Sequence, residues 1–228
     1  MPSYTLRTAF TEDDLVRFNA AGSNVVVAKP NAGGAPNVAW VVYRPFVANT
    51  MTWVEQYGIY ASNTELTTGG AQLTQMSKTE YPAADGKIYP LNAAGFFSAP
   101  SSGGNAGSYT AQNGYNNLPK GYLTFGLYQN AVVNGTATNG NAVSAAAVQF
   151  NYTAEITPFT TIYLWLQSSV KSNSVVTTVT SPQTKVTFGG SVTEVSLAYD
   201  PMTGTFVTAA QQALPEGVTL EYHVPELL

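Results

Sequence analysis

The chain contains no cysteine and one histidine, and Asp, Glu, Lys and Arg together make up 10% of its 228 residues, against about 25% in an average soluble protein. Each shortage removes a class of function. Without thiols there is no disulfide framework, thiolate nucleophile or thiolate metal site, so the fold stands on packing alone, which suits folding in a reducing compartment. The nine basic residues are scattered singly from Arg7 to Lys185. With no basic stripe, neither nucleic acid nor polybasic attachment to anionic lipid is expected. No run approaches the ~18 consecutive apolar residues of a membrane-spanning helix. The start, Met1 to Arg7, lacks the basic and apolar regions of a secretory signal. The expectation is a soluble, cytoplasmic protein, with a leader removed before Met1, or release without a classical signal, as the alternatives.

Chemistry-bearing constellations are equally scarce. His223 could pair with Asp200 or Glu221, but no nucleophile elbow completes a triad. Asp13 and Asp14 belong to a helix start, and Asp85 and Asp200 lie in separate turns, so no metal set forms. Calcium held by turn carbonyls stays open. Glu55, Glu155 and Glu194 are the strand carboxylates that glycoside hydrolysis would draw on, and nothing in their spacing pairs them. The glycine pairs Gly33–Gly34, Gly69–Gly70 and Gly103–Gly104 precede neither Lys-Ser/Thr nor a helix. No enzymatic activity, cofactor or metal is expected.

What is present reads as β-structure. The stretch from Phe159 to Gly190 predicts a central hairpin. Its first strand places Ile162, Leu164 and Leu166 on one face and Tyr163 and Trp165 on the other, and its second, Ser174 to Thr180, follows a turn at Lys171–Asn173. Thr11 to Asp14 resembles a capping box, Leu15, Val16 and Phe18 form an apolar face, and Gly22 is a stop. One short N-terminal helix is predicted, closing one end of a sandwich. Strands are predicted within 24–29, 37–46, 50–61, 71–78 and 86–91, and again from Tyr122 to Tyr128. An open turn over 134–141 precedes a run over 142–154. A hairpin is predicted over 193–207, turning at Asp200–Thr203, followed by a last strand at 217–224. The tail, Pro225 to Leu228, either docks on the body or exchanges between copies.

Glu55 interrupts an apolar alternation and needs Arg44 or a tyrosyl hydroxyl as partner, unless it sits at a bulge. The segments 57–63 and 125–130 echo each other, Tyr-Gly-Ile-Tyr against Phe-Gly-Leu-Tyr, which would fit a duplication with halves near 24–98 and 120–199. The prediction is an all-β antiparallel β-sandwich, elongated or of two similar halves, with one short N-terminal helix. It is read as one domain over 1–228, and any boundary between two lobes would fall within 100–121.

That polar stretch is the longest interruption in the chain, and such loops are functional or disordered. A sugar offers an apolar C–H face to an aromatic ring and hydroxyls to amides. Tyr109, Asn113, Tyr115, Asn116, Asn117 and Tyr122 have that mixture, with Gln112 among them. The alternative is that these are simply the uncharged residues of a mobile loop. The leading expectation is a non-catalytic, lectin-like protein that recognises carbohydrate or a glycosylated cell surface. Low charge equally permits self-assembly into a homo-oligomer or inclusion. A third possibility is hairpin insertion into membranes by Ser168–Thr187, as pore-forming toxins use, although its two faces contrast poorly. Contact with membranes stays open. In composition the chain resembles cysteine-free lectin-like and cytolysin-like β-sandwich proteins, and no motif narrows that resemblance to one family.

Overall fold

The computed structural model describes residues 1–32, 34–118 and 120–208. His223, the predicted last strand and the tail lie outside the described residues. The chain opens with a strand that the sequence did not announce, β1 (Ser3–Ala9), whose alternation buries Tyr4, Leu6 and Thr8. Helix α1 (Glu12–Ala21) follows. Thr11 Oγ1 accepts the Asp14 amide at 3.2 Å and the Asp14 carboxylate accepts the Thr11 amide at 3.2 Å, which completes the capping box. Gly22 ends the helix at φ 62°. The buried face differs from the prediction. Asp14 is buried by its capping role, while Val16 is 69% exposed, leaving Leu15 and Phe18 to face the core.

The strands that follow are β2 (Ser23–Ala28), β3 (Val38–Ala39), β4 (Val41–Tyr43), β5 (Ala48–Val54), β6 (Gly58–Ser62), β7 (Gln75–Lys78), β8 (Lys87–Leu91), β9 (Ser101–Ser102), β10 (Tyr109–Asn113), β11 (Tyr122–Val133), β12 (Thr136–Ala142), β13 (Ala146–Gln149), β14 (Thr153–Ile156), β15 (Thr161–Ser168), β16 (Ser174–Val175), β17 (Thr184–Thr187), β18 (Glu194–Asp200) and β19 (Thr205–Thr208). A nine-stranded sheet runs β19-β18-β1-β5-β11-β6-β7, with β12 and β13 also on β11. Two four-stranded sheets, β14-β10-β8-β9 and β17-β15-β2-β4, and the pair β16-β3 hold the other strands of the described residues. Among the described residues the architecture is all-β and sandwich-like with one short helix. Two pairings, β1 with β18 and β8 with β10, are parallel.

Four details depart from the sequence reading. The organising strand is β11, twelve residues long, which pairs with β6 and β5 along one edge and β13 and β12 along the other. Strand β15 lies in an interior as expected, but its partners are β2 and β17, so the predicted central hairpin does not form. The valines after Asn173 serve two different clusters. Val175 packs with Val38, Tyr60 and Tyr128, whereas Val176 and Val179 pack on the group containing Val26 and Trp165, and no single ladder can satisfy both. The expected open turn over 134–141 is instead a tight Asn134–Gly135 turn, both residues at positive φ, leading into β12. Finally, the stretch 100–121 is not a bare loop. It contains β9 and β10, and β10 sits between β8 and β14. The largest buried cluster draws on residues from both sides of it, from Tyr4 to Phe206.

Candidate functional site

The six residues singled out from the sequence divide by position. Tyr109 lies in the core, its ring edge-on to Tyr57 at 5.9 Å, and burial foremost, with the Asp85 charge next, pushes its hydroxyl up to about 12. Asn113 is fully buried. Its amide nitrogen donates to the Val148 carbonyl at 2.9 Å and its side-chain oxygen accepts the Tyr115 amide at 3.1 Å. Both side chains are buried. Tyr115 is half-buried against the main cluster, close to Gly95. Asn116 and Asn117 are exposed, and Tyr122 is half-buried at the start of β11.

Asn113 nevertheless ties the loop to a second feature. Its backbone exchanges hydrogen bonds with the tip between β13 and β14, Asn113 N to Tyr152 O at 2.9 Å and Asn151 N to Asn113 O at 2.8 Å. At that tip Asn151 takes a left-handed conformation (φ 64°), which asparagine tolerates better than most residues. The tip projects Phe150, 40% exposed, and Tyr152, 64% exposed. Alternation in β13 turns Val148 inward and Ala147 and Gln149 outward, and Gln149 pairs directly with Tyr122 across β11. The result is a shallow groove of about 300 Å³ lined by Tyr122, Ala147, Val148, Gln149, Tyr152 and Thr153, all uncharged.

The structure thus brings Tyr122 together with Gln149 and Tyr152, which sequence reasoning missed. The available signal was the aromatic-Asn-aromatic triplet 150–152, masked by reading 142–154 as one strand. A larger cleft, about 490 Å³, lies elsewhere, between the segments 78–84 and 97–100, and includes Tyr89 and Phe97. The Tyr89 hydroxyl there already donates to the Ala84 carbonyl at 2.8 Å.

A third polar feature is internal. Lys29 Nζ lies 3.3 and 3.2 Å from the two carboxylate oxygens of Glu55 and 2.6 Å from the Tyr57 hydroxyl. Tyr57 donates its hydroxyl to Glu55, and Trp53 Nε1 donates to the other oxygen at 3.3 Å. Burial pulls the Lys29 amine down to about 8 against the opposing pull of Glu55, and burial foremost, reinforced by the Glu55 charge, raises the Tyr57 hydroxyl well above its ordinary value. Of the partners expected for Glu55, the tyrosyl hydroxyl is present, whereas Arg44 instead donates to Asn19 at 2.9 Å. Lys29 was not foreseen.

Glu155 and Glu194 have separate partners, Asn105 and Arg7. Among the described residues no group of three or more acidic or histidine side chains is placed to hold a metal ion. No protein-family model matches the chain, and neither a curated protein nor a solved structure does so.

Proposed function

We propose that the chain is a non-catalytic carbohydrate-binding protein and that a neutral sugar docks in the groove between Tyr122 and Tyr152. The observation that carries this reading is the pairing of two accessible tyrosine rings with an uncharged, amide-bearing floor. A pyranose ring lays its C–H face on an aromatic face, and its hydroxyls exchange hydrogen bonds with the Gln149 amide and the Thr153 hydroxyl, each both donor and acceptor. No charge has to be stripped of water when the sugar enters, and the hydroxyls and amide that leave water regain hydrogen bonds across the groove. A groove of about 300 Å³ stands at the small end of ligand sites, which favours one or two sugar units.

The test is a glycan array followed by fluorescence titration of the hits against the full chain. Removing one stacking ring costs about 1 kcal/mol, so Tyr152→Ala should weaken binding roughly five- to tenfold, and Gln149→Ala should weaken it by a similar factor. Absence of any retained glycan, or equal binding by wild type and Tyr152→Ala, would sink the proposal. A second reading, association between copies, draws support from the outward face of β5 and β11, where Val54 and Val132 are exposed beside an uncharged hollow. Light scattering across a concentration series checks it, and a sharp monomer throughout counts against it.

A further inference from the structure

The groove makes no use of the internal cluster at Lys29, which brings an amine and a carboxyl group together in an aromatic enclosure. Lys29 directly follows β2 in the sheet β17-β15-β2-β4, while Glu55 directly follows β5 in the nine-stranded sheet. The two side chains, 3% and 13% exposed, meet where the sheets face each other. The rings of Tyr57, Trp40 and Trp53 surround the Lys29 nitrogen with centroids at 4.9, 5.2 and 5.9 Å. We propose that Lys29 and Glu55 condense to an intramolecular amide, a covalent staple between two sheets of a protein that has no cysteine to make one.

The geometry supplies what the reaction needs. Nζ stands almost equidistant from both carboxylate oxygens, at 3.2 and 3.3 Å, which holds the amine beside the carboxyl carbon it must attack, and partners held in reacting geometry reach effective concentrations of about 10⁵–10⁸ M. A proton passes from the ammonium to Glu55 Oε1, leaving a neutral amine, which the lowered amine value of about 8 brings within reach near neutral pH. The nitrogen lone pair then attacks Cδ and forms the C–N bond. Trp53 Nε1, which donates to Oε2, holds the negative charge that develops there. Tyr57, in contact with both Nζ and Oε1, relays the second proton from nitrogen to Oε1. The Cδ–Oε1 bond breaks and water leaves, so one ammonium and one carboxylate become one amide and one water, with no oxidant or activating reagent. A cavity of about 10 Å³ bordered by Lys29 and Tyr57 has room for about one water. The product also replaces two buried charges, each costly to keep out of water, with a neutral group.

Intact-mass measurement of the purified, denatured full chain is the test. The expected mass is one water below that of the sequence. Cyanogen bromide cleaves after Met51 and Met76, which separates residues 2–51 from 52–76. With the amide in place these two fragments stay joined and are found as one species. Lys29→Arg, which keeps the charge but cannot form this bond, should restore the full mass and release the fragments. A wild-type chain at full sequence mass overturns the proposal, and so does a loss of water with the two fragments free, since the dehydration then lies elsewhere. Neither wild-type result depends on a variant folding, and neither depends on sugar binding.

Discussion

Two glycines and two tyrosines hold the centre of the large sheet. In the register of β6 against β11, Gly58 faces Tyr128 and Tyr60 faces Gly126, so each tyrosine ring covers the glycine opposite. A Cβ at position 58 would stand 2.2 Å from the Tyr128 ring, and one at 126 would stand 2.7 Å from the Tyr60 ring and 1.9 Å from the Ser144 carbonyl oxygen. The Tyr60 hydroxyl donates to that same carbonyl at 2.7 Å, and Tyr128 donates to the Thr79 carbonyl at 2.8 Å. The echo between 57–63 and 125–130 was legible in the sequence, and so was the need for close approach at its glycines. Which group approaches was not, because that depends on pairing partners 66 to 70 residues apart. Gly58→Ala should destabilise the fold by about 1–3 kcal/mol through overpacking, and Tyr128→Leu should recover part of that loss. Gly126→Ala should cost more, and Tyr60→Leu should not rescue it, because the obstructing atom belongs to the backbone. Urea midpoints of the four single and two double variants decide the matter.

At the level of elements, segments governed by their own residues were readable and those governed by distant partners were not. Helix α1 is set by Thr11, Asp14 and Gly22, all local, and the β18–β19 hairpin by its turn from Asp200 to Gly204. Periodicity placed β15 in an interior but could not say that β17, rather than 174–180, pairs with it. The same limit governed the candidate site. Tyr122 could be picked out by composition, whereas Gln149 joins it only through the β11–β13 register and Tyr152 only through the tip at Asn151. Thr11→Ala tests the local part. Loss of the Oγ1 acceptor should cost about 0.5–2 kcal/mol. It should also loosen Phe18, whose ring meets Phe10 at 5.7 Å and Tyr199 at 5.0 Å. Hydrogen exchange should then quicken at the Leu15 amide, which bonds the Thr11 carbonyl at 3.1 Å, while the β11 amides keep their protection.

For the molecule as a whole, scarcity of charge moves the pH dependence of stability from carboxylates to tyrosines. The ion pairs among the described residues are Arg7–Glu194, Lys120–Glu65 and Lys29–Glu55, and the two outer ones contribute about 0–1 kcal/mol each. Burial, by contrast, raises Tyr43 and Tyr109 to about 12 and pushes Tyr57 and Tyr60 well above the ordinary tyrosine value. These hydroxyls keep their protons in the folded chain at pH values where the unfolded chain has released them. Their contribution is therefore complete below about pH 10 and is lost as pH rises from there through 12 and beyond. Each tyrosine that ionises only on unfolding steepens the decline by about 1.4 kcal/mol per pH unit. Urea midpoints should fall sharply above pH 10, and tyrosinate absorbance from the buried group should appear together with unfolding rather than ahead of it. Tyr43→Phe should flatten the alkaline decline while costing some stability at neutral pH, where its hydroxyl bonds Thr8 at 3.0 Å. Full ionisation of the tyrosines near pH 10 in a chain that stays folded would show that these rings reach water, and that packing alone does not enclose them.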